Sequence, residues 1–371
     1  MYTQAYARPY SACMSARLRP DSRRRTPLSP RHWVPEALFD FWAGGLHPLW
    51  TLRRPRARLV AREAASADAV TLILKPNRHF RGMAAGQHVN LGVEVDGRRL
   101  TRSYSPTRLA DGTLAITVKA IDGGRVSQHL ASGAPLGEVF ELGQAFGGMT
   151  LPPQADQRLL LLAAGSGITP MRALLRQLDA AGMPAQVDLL YWARQREALC
   201  FVDELDAMAA RHPRLRVHYL PTRDAQAPAP RVDAYAFDAL GDLASARVLV
   251  CGPGGFVDTA RARLQSQVAA LQVEAFSPPV LPDAETGLVQ VELRRSGRTL
   301  ALPRGTSLLQ ALEAEGLRPA SGCRMGICNT CVCGKASGVT RHTLTGEYAA
   351  EPATQVKLCV NSASTDLILE L

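Results

Sequence analysis

The chain has 371 residues, 46% of them hydrophobic and 20% charged, with a formal net charge of +10 and eight cysteines. That exceeds one ordinary core, so two to four domains are expected, each with apolar residues enough to bury its own. No run of about 18 apolar residues and no apolar secretory core are present, which predicts a cytoplasmic protein, and no zinc-finger, basic-zipper or RNA-binding signature points to nucleic acid.

The basic excess gathers at the start. Residues 1–60 hold eleven arginines against Asp21, Glu36 and Asp40, a net of +8, and Met14 offers an alternative start. Residues 1–52 are expected to form a basic arm and an aromatic segment. Such an arm suits acidic lipid, an acidic protein face or plain solvent. In "RHWVPEALFDFWAGGLHPLW" stand Trp33, Trp42 and Trp50, with Pro35 placed to open a short helix and Gly44-Gly45 to end it. Docking of these aromatics onto the next domain is the expectation. A peripheral anchor at the inner face of the membrane is the sharper alternative.

From 53 to 152 the pattern is strand and turn: "ARLVARE", "AVTLILK", "QHVNLGVEV", "GTLAITVK" and "EVFEL", with Asp96-Gly97 as a two-residue hairpin. This predicts an antiparallel β-barrel. After Pro152-Pro153, from 153 to 276, strands "RLLLLAA", "QVDLLYW", "LRVHYL" and "ARVLVCG" alternate with helices from about Pro170, near 202–210 and near 256–271. That is an α/β domain with a parallel sheet. The proline-rich stretch 277–285 reads as a linker. Beyond it, 286–371 begins with a hairpin and a helix capped by Thr306 and ended at Gly316.

Four cysteines crowd into "SGCRMGICNTCVCG". The spacing Cys323-x4-Cys328-x2-Cys331, with Cys359 later, matches the plant-type pattern for a [2Fe–2S] cluster, in which each iron takes two thiolates beside the bridging sulfides. Cys333 is then left out. A zinc site from 323, 328, 331 and 333 is the competing reading, but its last three thiols lie too close to wrap one ion tetrahedrally without strain. "SGCRMGICNTC" and "LCVNSASTDLILEL" resemble the plant-type ferredoxin family, which implies a β-grasp domain carrying a one-electron cluster.

In "TRSYSP", Arg102 suits a phosphate, the Tyr104 ring can lie on a flat heteroaromatic ring, and the Ser105 hydroxyl can bond a ring nitrogen. Downstream, "AITVKAIDGGRVSQHL" leads through Gly123-Gly124 to an expected helix start at Ser127, where free amides would seat a pyrophosphate. Together these resemble the flavin domain of the ferredoxin–NADP reductase family. The resemblance implies that Arg102 contacts phosphate, Tyr104 stacks, Ser105 neighbours flavin N5, and Ser103, Val118, Lys119, Gly124, Val126 and Ser127 add contacts. It implies FAD rather than FMN.

"LLLLAAGSGITPM" places Gly165 and Gly167 after a strand, with Thr169 and Pro170 opening a helix, and "VLVCGPGGF" ends another strand at Cys251, Gly252 and Pro253. The pair resembles the same family's nicotinamide pocket, which implies that Cys251 sits at the reacting carbon and, with Ser105, does the catalytic work. In "YWARQRE" no acid stands where a ribose reader would. Arg194 and Arg196 offer charge for a 2′-phosphate, so NADPH is expected over NADH.

The whole reads as a reductase passing electrons from NADPH through FAD and the cluster to an outside acceptor. Its domain order resembles reductases of oxygenases. In "RHWVPEALFDFWAGGLHPLW" and "PNRHFRGMAAGQHVNLGVEVDGRRLTRSYSP" it resembles the reductase partners of membrane acyl-CoA desaturases. A ring-hydroxylating dioxygenase or a monooxygenase is the alternative acceptor. A redox sensor or a zinc-binding interaction module is the alternative of another class.

Overall fold

Alternating burial builds the first sheet, because strands covered on one face put every second side chain inside. The computed structural model describes residues 36–151, 158–276 and 285–371. Most of the basic arm, including Trp33 and Pro35, most of the linker and the Pro152-Pro153 boundary lie outside the described residues. After a helix α1 (Glu36–Leu46) come β1 (Arg56–Ser66), β2 (Ala69–Pro76), β3 (Val89–Val95), β4 (Arg98–Tyr104), β5 (Thr107–Arg108), β6 (Leu114–Lys119), a single helical turn α2 (Arg125–Gln128) and β7 (Val139–Leu142). The strands form one antiparallel sheet in the order β4-β3-β7-β1-β2-β6-β5, curled around Leu59, Leu72, Leu91, Ile116 and Phe140. The β3–β4 hairpin turns at Asp96-Gly97 as expected, both residues at positive φ.

The second unit runs β8 (Leu159–Ala164), α3 (Ile168–Ala180), β9 (Val187–Ala193), α4 (Val202–Arg211), β10 (Leu215–Pro221), β11 (Arg247–Gly252), α5 (Gly254–Leu264) and β12 (Ala270–Ala275). All pairings are parallel, in the order β10-β9-β8-β11-β12. Helices on both faces explain why β8 is buried throughout: its four leucines each contribute about 1.5–3 kcal/mol by leaving water. The order reverses between β8 and β11, which opens a crevice at their carboxyl ends. Ala69 and Met149 of the barrel side pack into the core of this unit with Leu174 and Leu175, so the two units share an apolar seam beside that crevice.

The third unit has β13 (Leu288–Leu293), β14 (Arg298–Pro303), α6 (Leu308–Ala314), β15 (Val332–Ser337), β16 (Thr340–His342), β17 (Tyr348–Ala349), β18 (Thr354–Lys357), β19 (Asn361–Ala363) and β20 (Leu367–Leu369). A mixed sheet β14-β13-β20-β15-β18 holds α6 against it, and β17-β16-β19 forms a small second sheet. This is the β-grasp arrangement.

Four local expectations change. Helix α1 continues through Gly44-Gly45 to Leu46, because Asp40 anchors it from inside by accepting from the Leu52 amide at 2.8 Å and pairing with Arg54. Its aromatics do not dock on the next domain: Phe41 and Trp42 are 71% and 68% exposed, Trp50 is also exposed, and so is the aliphatic Leu46 at 81%. The last helix of the second unit stops at Leu264 and residues 270–275 become strand β12, since an open edge beside β11 outweighs local helix propensity. Ser307 rather than Thr306 caps α6, accepting from the Gln310 amide.

Asp188, buried at the start of β9, accepts from Arg216 at 2.7 and 2.9 Å and pairs with Arg158 at 3.5 Å. Burial alone would raise its carboxyl. Hydrogen bonds from His218 and Arg216 and the charge of Arg216 and Arg158 outweigh that and hold it down to about 2. A depressed carboxylate stabilises the fold above its unfolded value of about 3.9 and loses that contribution as pH falls through the folded one. Asp188→Asn should therefore cost about 1–3 kcal/mol at neutral pH in urea unfolding. The gap to the parent protein should close between about pH 4 and pH 2.

Candidate functional site

At the crevice, β8 exits into a 3₁₀ turn over Gly165–Gly167 that feeds α3, and β11 exits at Cys251 and Gly252 into α5, with Pro253 at its N-cap. The two exits touch. A Cβ on Gly167 would stand 2.0 Å from the Cys251 carbonyl oxygen, so only glycine permits this approach. Thr169 and Pro170 are buried, and the Thr169 hydroxyl closes the turn onto the Ser166 carbonyl at 3.0 Å. They shape the loop and leave its backbone to a ligand. Cys251 is fully buried, and burial together with the Glu274 charge pushes its thiol well up, so it stands as a neutral thiol and not a thiolate nucleophile.

At the outer end of the sheet, Arg194 follows β9 and is exposed. Arg196 pairs with Asp224 at 3.7 Å. Sequence reading missed Arg223, whose amide bonds the Arg194 carbonyl at 2.8 Å, making the two arginines backbone neighbours where β9 and β10 end. The signal was an arginine just past a parallel strand end, visible only once strand order is known.

Across the crevice, β4 delivers Arg102, Ser103 and Tyr104, and Ser105 follows it. Burial, then the like charge of Arg324, lowers Arg102, and burial raises the Tyr104 hydroxyl, so the one stays a cation and the other a neutral ring at neutral pH. Ser105 is buried, and its hydroxyl lies 2.8 Å from His88 Nδ1. His88 Nε2 meets the Glu274 carboxylate, while the His88 ring lies near Phe146 and Phe276. Glu274 is the β12 partner of Cys251. A continuous polar chain thus links the barrel strand to the parallel sheet. Neither His88 nor Glu274 was singled out from sequence. The signal available was one titratable residue inside each of the apolar stretches "QHVNLGV" and "LQVEAF".

The second flavin element is tighter than expected. Helix α2 starts at Arg125, not Ser127, and has four residues. Ser127 therefore lies within it, its hydroxyl bonding the Gly124 carbonyl at 3.0 Å and taking the Ile121 amide at 3.3 Å. Val118 and Val126 point into the barrel core and offer a ligand their backbone only, and Lys119 pairs with Asp68 at 2.6 Å.

In the third unit the four expected thiols converge as two pairs. Cys323 and Cys328 exchange amide-to-sulfur contacts at 3.2 and 3.3 Å, and Cys331 and Cys359 lie 3.1 Å apart. The Thr330 hydroxyl and the Gly326 and Met325 amides also point at these sulfurs, at 3.1, 3.2 and 3.4 Å. Such donors favour thiolates, and two pairs suit two irons. Gly326 has φ +75° and would bring a Cβ to 3.0 Å from Val360, so the loop needs glycine there on two grounds. Cys333 turns away, its thiol on the Gly334 carbonyl at 3.3 Å within the apolar core.

A cleft of about 930 Å³ lies between β1, β2 and α3, with Arg172, Arg176 and Glu204 in its wall. It contains none of the residues above, and the chemistry follows the strand ends instead.

Three families match in order: an oxidoreductase FAD-binding domain over residues 56–149, an oxidoreductase NAD-binding domain over 161–262 and a 2Fe-2S iron-sulfur cluster binding domain over 291–360. An NADPH oxidoreductase of Mycobacterium tuberculosis is 34% identical over 359 residues, covering 94% of this chain and 90% of that protein. The ferredoxin reductase component of a 3-ketosteroid-9-alpha-monooxygenase from the same organism is 33% identical over 282 residues, 71% of this chain and 77% of that one. Among solved structures, phthalate dioxygenase reductase superposes with a TM-score of 0.60 at 27% identity, over 85% of this chain and 97% of that one.

The thiol geometry gives a direct test. Cys333→Ser should keep the visible spectrum of the cluster, while Cys359→Ser should lose or alter it; the reverse result would exchange the two assignments.

Proposed function

We propose, because the chain belongs to the family of NAD(P)H-dependent flavin oxidoreductases that carry a 2Fe-2S domain, that it draws electrons from NADPH and delivers them to a membrane di-iron acyl desaturase. The observation that carries the reductase reading is the polar chain Ser105–His88–Glu274 beside Cys251, set where the nucleotide-binding crevice faces the flavin strand. When bound, FAD takes a hydride and releases single electrons, and the cluster accepts them one at a time.

The chain's own residues then have distinct tasks. Arg102 would hold phosphate, Tyr104 would line the ring side, Ser103, whose side chain faces the other way, would add a backbone contact, Ser105 would neighbour N5, and the Val118, Lys119, Gly124, Val126 and Ser127 segment would supply further contacts. Gly165, Gly167, Thr169, Pro170, Gly252 and Pro253 shape the dinucleotide seat, with Cys251 packed at the nicotinamide. Cys323, Cys328, Cys331 and Cys359 hold the iron. A hydride brings two electrons and one proton, and the electrons alone go on, so one proton must leave. Ser105 Oγ accepts it and passes it by way of His88 Nδ1 and Nε2 to the Glu274 carboxylate, each within hydrogen-bond reach of the next.

Arg194 and Arg223 form the seat for a 2′-phosphate, which favours NADPH. Arg223→Ala should raise KM for NADPH about tenfold, the worth of one charge-assisted hydrogen bond, and leave KM for NADH unchanged.

The desaturase reading rests on the resemblance of the aromatic and barrel segments to reductase partners of such enzymes. The outward Phe41, Trp42, Leu46 and Trp50 support it too, together with the arginine-rich arm, as a peripheral contact with the inner membrane face. Among the described residues no helix is long and apolar enough to cross a membrane. A dioxygenase or monooxygenase as acceptor is the second reading, favoured by the names of the steroid monooxygenase and phthalate dioxygenase reductases. Membranes bearing the cognate desaturase should gain NADPH-dependent desaturation when the holoprotein is added. No gain there, with turnover of a soluble oxygenase instead, would replace the first reading by the second.

A further inference from the structure

Electrons that leave the flavin strand for the cluster must cross from the barrel to the third unit, and one side chain stands at that crossing. Asn90 in β3 is directly opposite Ser103 in β4, so the two share a face, while Arg102 and Tyr104 on either side of Ser103 take the other. Ser103 Oγ donates to Asn90 Oδ1 at 2.5 Å. The Asn90 carbonyl also accepts from the Gly143 amide at 2.7 Å, so its backbone is pinned between two neighbouring segments of the sheet.

The amide end of the same side chain reaches the cluster loop. A Cβ on Gly322 would stand 3.0 Å from Asn90 Nδ2, 2.8 Å from Cys328 Sγ and 2.9 Å from Thr330 Oγ1. Gly322 immediately precedes Cys323, so the Asn90 amide lies close to the start of the loop that carries the first three iron-binding cysteines. Only the missing side chain at 322 allows that approach. Close by, Arg324 is held by a two-point pair with Glu313, at 2.7 and 2.6 Å, and the electrostatics of both reach Arg102. The face that meets the cluster loop is thus the reverse side of the strand that carries the flavin-binding residues.

We propose that Asn90 is a positioning residue for interdomain electron transfer: Ser103 fixes its carboxamide oxygen, its amide seats the Gly322 loop, and this contact sets the separation between flavin and cluster. The inference rests on the reductase reading above. Each transfer takes one electron from the reduced flavin and reduces one ferric iron of the cluster, and NADPH supplies two.

The test uses the full-length holoprotein and its Asn90→Ala and Asn90→Leu variants, mixed rapidly with NADPH without oxygen, while flavin and cluster absorption are followed separately. Both variants should keep both absorption spectra, the rate of flavin reduction and KM for NADPH. Cluster reduction should slow roughly tenfold or more, in the range that ångström-scale misplacement costs a positioned reaction. Hydrogen–deuterium exchange supplies a readout independent of turnover: residues 88–92 and 320–326 should both lose protection in the variants. Unchanged cluster reduction and unchanged exchange would overturn the role of Asn90. So would equal slowing of flavin and cluster reduction, which would mark a general structural defect. A parent protein whose cluster NADPH never reduces would instead defeat the reductase reading itself.

Discussion

The end of β12 must meet the barrel, and the buried contact between Glu274 and His88 is where it does so. Two titratable side chains, on residues 186 positions apart, meet there directly, His88 2% and Glu274 10% exposed. A carboxylate so placed is stable only with a donor against it, and a buried imidazole needs a partner for each nitrogen. Glu274 and the Ser105 hydroxyl supply those partners together, so the contact fixes where β4 ends relative to β11. The crevice between nucleotide strand and flavin strand follows from that. The apolar seam of Ala69 and Met149 against Leu174 holds the units together, and the polar chain sets their registration.

From that crevice the arrangement is sequential. The strand-order reversal puts Gly165–Gly167 and Cys251 side by side, as parallel sheets do at a switch point. The flavin strand lies opposite, and its reverse face meets the loop before Cys323. The proposed cofactor seats thus lie on successive surfaces of one connected path, and the bound groups would carry the redox chemistry. The exposed aromatics of α1 are outside this path, which fits a role in where the protein docks and not in what it transfers.

The thiol cluster was legible in the sequence because three of the four converging cysteines lie within nine residues and the fourth returns later. Distinguishing Cys359 from Cys333 required only the spacing rule, and the folded chain brings Cys359 to Cys331 while turning Cys333 into the core. Strand alternation and the Asp96-Gly97 turn made the barrel readable, and apolar strands alternating with helices did the same for the parallel sheet. What stayed hidden depends on long-range pairing. His88 and Glu274 gain meaning only when the residue just before β3 meets β12. Arg223 becomes a neighbour of Arg194 only when β10 pairs with β9. The helix expected near 256–271 runs into the start of β12 because nothing local shows that β11 has an open edge. The aromatics of α1 were expected to pack inward, but Asp40 anchors the helix by polar contacts and leaves them outside.

We propose that electrons from NADPH reach the cluster by way of the flavin, while the accompanying proton leaves through Ser105, His88 and Glu274. The most direct measurement is anaerobic rapid mixing of the holoprotein carrying His88→Leu with NADPH, compared with the parent protein across pH. Both absorption spectra should persist while delivery of electrons to the cluster slows and its pH profile changes. Unaltered delivery with an unaltered pH profile would contradict the proposal.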